Sequence, residues 1–393
     1  MKTARLFPAI ILGLAAAVTP ARIIAADPIF LHAADGISGA AFGQTVAMAG
    51  GITAIGAPGV RAVYAYERGT NGEPFGLVNK LEPWDEAGPG FAEALGLDGD
   101  VLAVGAPTGI GSVYVFLRDS TQPDNWRDMR TLAGAGTADA NFGRAVAVSG
   151  NRIAVGAPGE DAGAGAIYVF ERDEGGPNNW GQVARVNGPD PASAGLGQTL
   201  ALSGHTLAAR ATLGAQAVVY VFQWGTNGNW TAVRRIDPPA DGHEGATFGQ
   251  ALAADSDQLI IGSPGQTGPG AAYVHLRNRS GTNAWGLAKT LTATEPANGD
   301  EFGASVALSG DKVVVGAPGA PVDAFGTKGK VFAFSRNQGG LATWGLLKAY
   351  ASPDGTPQNG QNFGRALDAV GASFVAGAPR ADALPVAAAG AAY

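Results

Sequence analysis

The chain has 393 residues, no cysteine and a formal charge of -7. Without cysteine there are no disulfides and no thiolate metal ligands, and the acidic balance argues against nucleic acid as a partner, since that needs cationic surface for counterion release. The 61 glycines recur at fixed places beside alternating apolar residues, which marks turns in an all-β fold rather than low complexity.

In chain order, Lys2 and Arg5 precede an apolar run from Leu6 to Val18, followed by small residues up to Ala26. This is the layout of a secretory signal peptide over residues 1–26, with cleavage after Ala26 and Ala21 as the second choice. The run falls short of the roughly 20 apolar residues that a membrane span needs. Removing the three basic residues of this segment takes the charge of the mature chain, residues 27–393, from -7 to -10. A secreted, periplasmic or cell-surface location is expected, with no membrane span and a monomeric state.

The remainder repeats. Seven units begin at Phe42-Gly43, Phe91-Ala92, Phe142-Gly143, Leu196-Gly197, Phe248-Gly249, Phe302-Gly303 and Phe363-Gly364, at intervals of 49, 51, 54, 52, 54 and 61 residues. Each reaches a Gly-Ala-Pro or related stop whose first residue lies 14 positions on: Gly56, Gly105, Gly156, Arg210, Gly262, Gly316 and Gly377. Between start and stop the pattern alternates, breaks at a two- or three-residue turn and alternates again, as a hairpin does. Proline then removes a ladder donor and ends the second strand. A third strand follows, Ile167 to Phe170 in the third unit, and a fourth opens on a large ring: Phe75, Trp126, Trp180, Trp230, Trp285 or Trp344. Recurrence of these rings at one place per unit predicts packing between units rather than a sugar-stacking ladder.

These starts, stops and aromatics resemble the FG-GAP repeats of the integrin α-subunit head and of secreted bacterial proteins, over residues 30–393. The resemblance implies a seven-bladed β-propeller of four-stranded antiparallel blades, and it implies adhesion or recognition as the usual role. Radial stacking is also the physical solution for sheets that cannot bury both faces alone. The last unit reaches Gly390-Ala391-Ala392-Tyr393 in its third strand, and Ile29-Phe30-Leu31 stands before Phe42 as Arg130-Thr131-Leu132 stands before Phe142. The N-terminal strand is therefore expected to complete blade seven and close the ring.

The resemblance further implies calcium in the loops between strands one and two. Here those loops are turns such as Asp98-Gly99-Asp100 and Ser149-Gly150-Asn151, too short for the six to eight oxygens that calcium takes, so no cofactor and no metal is expected. Asp98 with Asp100, and Asp255 with Asp257, are expected to cap their own hairpins. His32, His205, His243 and His275 fall in different units without metal-ligand spacing, and no nucleophile elbow is present.

Up-and-down strands would gather the loops before each start and after each stop on one end of the disc. Those loops are acidic, and the candidate partner-binding residues there are Trp84, Asp139, Glu160, Asp161, Asp241, His243, Glu244, Asp300 and Glu301, with Asp85, Glu86 and Asp354 in the same set. The expectation is an exported, non-enzymatic binding module for an extracellular or periplasmic protein or glycan. The alternatives are a lectin-like glycan binder and an enzyme acting on polysaccharide or phosphoester. Unit four departs most, with Leu196 and Arg210-Ala211-Thr212; it is either drifted or altered to meet a partner.

Overall fold

The computed structural model describes residues 28–33, 35–69, 75–85, 90–119, 121–122, 126–136, 139–241, 247–265, 268–323, 326–327, 329–352, 361–382 and 389–393. The segment expected to be a signal peptide lies outside them, as do Glu86, His243, Glu244 and Asp354.

The strands form a seven-bladed β-propeller. In the third blade, Ala145–Ser149, Arg152–Ala157, Ala166–Arg172 and Trp180–Asn187 pair antiparallel in that order. The first strand of each blade lies innermost, beside the first strands of its two neighbours, and the fourth is the outer edge. Six blades share a bulge between third and fourth strands, immediately before the second aromatic of the third strand, as at Val169/Phe170 and Val115/Phe116. The extra residue bends the outer strand and adds to the twist that stacked blades require.

The seventh blade closes as the sequence predicts. Leu367–Val370, Ser373–Ala378 and Ala391–Ala392 supply three strands, and Leu31 supplies the fourth. The Leu31 amide donates to the Ala392 carbonyl at 2.8 Å and the Ala392 amide returns a bond at 3.0 Å. Phe30 packs its ring 5.2 Å from that of Tyr393.

The core lies between blades. Phe142 is fully buried among Tyr168, Phe170 and Trp180 of its own blade and Val113, Val115 and Leu132 of the preceding one. Burying such a ring is worth roughly 2 to 3 kcal/mol. The pairing recurs edge to face: Phe42 on Tyr64, Phe91 on Tyr114, Phe142 on Tyr168 and Phe302 on Phe332, at centroid separations of 5.4, 5.3, 5.4 and 5.3 Å. Of the rings that open the fourth strands, Trp126, Trp180, Trp285 and Trp344 are buried in the core as expected, while Phe75 and Trp230 are only partly buried against it.

Three of the starts also latch their blade to the one before. The amides of Phe42, Phe142 and Leu196 donate to the carbonyls of Ala389, Ile110 and Ala164, which precede the third strand of the neighbouring blade. At the opposite end the turns are stitched in the same sense. Ser149 Oγ accepts from the Gly204 amide and Ser309 Oγ from the Gly371 amide, at 2.9 and 2.8 Å. Asp98 belongs to this set and corrects the expected cap, since its carboxylate accepts from Gly150 of the next blade at 2.8 Å. Asp255 does cap its own hairpin, accepting from the amides of Asp257 and Gln258.

The fourth blade keeps the architecture despite its altered signature. Leu196 is buried in the phenylalanine position, and Arg210 reaches across to the next blade, donating from Nε to the Phe248 carbonyl at 3.0 Å. Without proline its hairpin runs on: Thr206–Leu213 pairs with Gln216–Trp224 through a two-residue turn, and Ser193–Ala194 adds a fifth strand.

Candidate functional site

The loops before each start and after each stop do share one end of the disc. The amides of Gly59, Gly159 and Gly319, all just past a stop, donate to the carbonyls of Ala40, Ala140 and Asp300, all just before a start. These bonds leave the loop side chains on the same surface, and two clefts open there.

Four carboxylates on this end each accept from a third-strand tyrosine; Asp35, Asp85 and Asp241 stay exposed while doing so, and Glu160 is buried. The Tyr114 hydroxyl donates to Asp85 at 2.6 Å, Tyr273 to Asp241 at 3.1 Å, and Tyr64 to Asp35 at 2.7 Å. In the third blade Tyr168 donates to Glu160, a carboxylate only 6% exposed that also receives Arg185 at 3.3 Å. Burial and then the adjoining carboxylate push the Tyr114 phenol upward, so it stays protonated and remains a donor. Asp35 ends below the usual carboxylate range: burial pushes it up, and the bonds from Lys80 and Tyr64 outweigh that push.

The remaining nominated residues scatter. Asp161 pairs with Arg185 at 2.6 Å, and this carboxylate holds the guanidinium well above its ordinary range. Trp84 is half-exposed, set edge-on against Tyr114 at 4.9 Å. Asp139 is exposed with φ +72, its carbonyl accepting from Asn141 Nδ2, and Glu301 has φ +56. Asp300 is 4% exposed and accepts from the Ala297 amide at 2.9 Å. His243 and Glu244 lie outside the described residues. Among the described residues no group of three or more histidines and carboxylates stands close enough to hold a metal ion.

The larger cleft, about 350 Å³, lies toward the axis and is contributed by blades two, three and four. Glu93, Arg144 and Gln198 occupy one repeat position, directly after the start dipeptide, and Thr108, Asn141 and Pro158 complete the wall. Arg144 approaches Glu93 at 3.6 Å, with both side chains solvated, so the pair contributes little to stability and leaves charge available to a ligand. The sequence carries a signal for these residues: the same position elsewhere holds Gln44, Gln250 and Arg365, a polar set beside the innermost strands that only Ala304 interrupts. A search for dense ionisable clusters passes over it because its members stand about fifty residues apart.

The FG-GAP repeat family matches residues 126–170, 230–275 and 285–334. Each match runs from the fourth strand of one blade through the third strand of the next, out of phase with the blades, as the closure by Leu31 requires of the whole chain. The chain is a seven-bladed β-propeller carrying FG-GAP repeats. No curated protein matches it. Among solved structures, Saccharomyces cerevisiae Sqt1 is similar at 10% identity and a TM-score of 0.49, covering 89% of this chain and 82% of that one.

Proposed function

We propose that the chain is an exported, non-enzymatic binding module that recognises a protein or a surface glycan through the loop-rich end of the propeller. The observation that carries the reading is the axial cleft. Three consecutive blades contribute to it, its Glu93, Arg144 and Gln198 side chains are solvated and lie at the entry to the innermost strands, and loops carried on such a framework are where binding resides. Export is supported by the basic and apolar character of residues 1–26. The FG-GAP repeats support recognition over catalysis by resemblance alone, since a fold does not fix a function.

The test is capture from the native extracellular fraction, beside a glycan array, using residues 27–393 and a variant with Glu93→Ala, Arg144→Ala and Gln198→Ala. A partner or glycan held by the first and lost by the folded variant is the expected result. Equal capture by both would remove the cleft from the account, and turnover of an array glycan would favour the enzyme alternative.

A further inference from the structure

The sixth blade departs from its neighbours at three positions, and the three meet in one hollow. Where the other blades have Tyr64, Tyr114, Tyr168, Tyr220 and Tyr273, it has Phe332. Where they place Ala62, Ser112, Ala166, Val218 and Ala271 at the start of the third strand, it has Lys330. Where the first and third have buried Ala40 and Ala140, it has Asp300.

Loss of the phenol and gain of two charges leave a cleft of about 180 Å³, walled by Glu295, Asp300, Pro321, Lys330, Phe332 and Tyr350. Asp300 is 4% exposed, and only its Oδ2 is engaged, by the Ala297 amide; its Oδ1 accepts nothing from the described residues. Lys330 makes no ion pair among the described residues. The free carboxylate oxygen of Asp300 opens onto the hollow and can accept from a ligand donor, and the Lys330 ammonium in the same lining can hold an anion. The two do not meet each other.

We infer that this hollow binds a small zwitterion, a free α-amino acid or a molecule of that size, with the ligand ammonium on Asp300 and the ligand carboxylate on Lys330. Exposed Glu295 adds a second carboxylate to the lining, and Phe332 with Pro321 supplies apolar wall. A single ion would satisfy only one of the two charges. The volume is below the roughly 300 Å³ at which drug-sized ligands begin, which suits an amino acid and not an oligosaccharide. The site is separate from the axial cleft, and its ligand does not depend on what that cleft holds.

Calorimetry on residues 27–393 with glycine, L-alanine, L-glutamate, L-lysine and γ-aminobutyrate, and with acetate and methylamine as single-charge controls, tests it. At least one zwitterion should bind saturably and about tenfold or more tighter than either control. Asp300→Ala and Lys330→Ala, which install residues found in other blades, should each weaken that binding by about tenfold or more without lowering the melting temperature. Phe332→Tyr restores the phenol, fills the hollow and should abolish it. Absence of saturable binding across the panel, binding that survives Phe332→Tyr, or methylamine binding as tightly as the zwitterions would overturn the assignment.

Discussion

The amide of Gly143 donates to the carbonyl of Gly156 at 3.0 Å, joining the start of the third blade to its stop. The same bond forms from Gly43, Gly197, Gly249, Gly303 and Gly364, so the constant spacing of start and stop is the span of a hairpin closed by one hydrogen bond. The stop glycine has a second duty. A Cβ on Gly156 would overlap the carbonyl oxygen of Gly197 in the next blade, and Gly105, Gly262, Gly316 and Gly377 stand in the same way against Gly143, Gly303, Gly364 and Gly43.

Gly156→Ala should therefore cost about 2 to 4 kcal/mol, because backbone meets backbone and neither can swing aside. Gly76→Ala, on an outer strand where nothing lies within 4 Å of the added carbon, should stay within about 0.5 kcal/mol. Urea midpoints of the two variants check the contrast; equal midpoints would show that the close approach relaxes.

Two groups shifted by desolvation, the half-buried Asp368 and the buried His275, give opposite pH dependences. Asp368, on the innermost strand of blade seven, accepts from the Met48 amide of blade one at 2.7 Å and from Ala369 at 2.8 Å, and burial pushes it up to about 6. Its folded value exceeds the unfolded one of about 4, so its contribution is present below pH 4 and is lost as pH rises through 6. His275 takes the place of a core aromatic, with Nδ1 2.8 Å from the Trp285 carbonyl, and burial pushes it down to about 4. Its folded value lies below the unfolded one of about 6.5, so its contribution is present above pH 6.5 and is lost as pH falls through 4.

Across pH 4 to 6 the two slopes oppose each other, and the parent chain should show little net change from them. Asp368→Asn should leave stability rising with pH in this window, and His275→Phe should leave it falling, each by on the order of 2 kcal/mol. Chemical denaturation at half-unit pH steps reads both. Parallel curves for the two variants would refute the pairing.

Closure rests on a short contact, the two hydrogen bonds between Leu31 and Ala392 and the packing of Leu31 with Val375 and Ala392. Leu31→Pro removes the donor of one bond and should broaden the unfolding transition, with early loss of protection in blades seven and one by hydrogen exchange. A sharp transition with unchanged protection would show that the ring does not depend on it.

The architecture was legible because each signature residue has one mechanical task per blade: a ring for the interblade core, a glycine for close approach and a proline to end a strand. Closure was legible from the unit reaching Tyr393 in its third strand. The role of the acidic loops was not. Asp85 and Asp241 stand six or seven residues before their starts and look like solvated loop charges, yet the hydroxyls of Tyr114 and Tyr273 donate to them. A tyrosine recurring in the third strand was the available clue. The polar ring of Glu93, Arg144 and Gln198 was equally present in the repeat, one residue beyond the dipeptide that drew attention to itself.

The measurement that tests the central claim compares two sets of substitutions in one binding and melting experiment. Asp85→Asn with Asp241→Asn weakens the tyrosine anchors, and Glu93→Ala with Arg144→Ala and Gln198→Ala empties the axial cleft. The account predicts that the first variant melts at a lower temperature yet captures the partner when folded, while the second melts as the parent does and captures nothing. Loss of capture by the first and full capture by the second would place recognition on the acidic loops and contradict the account.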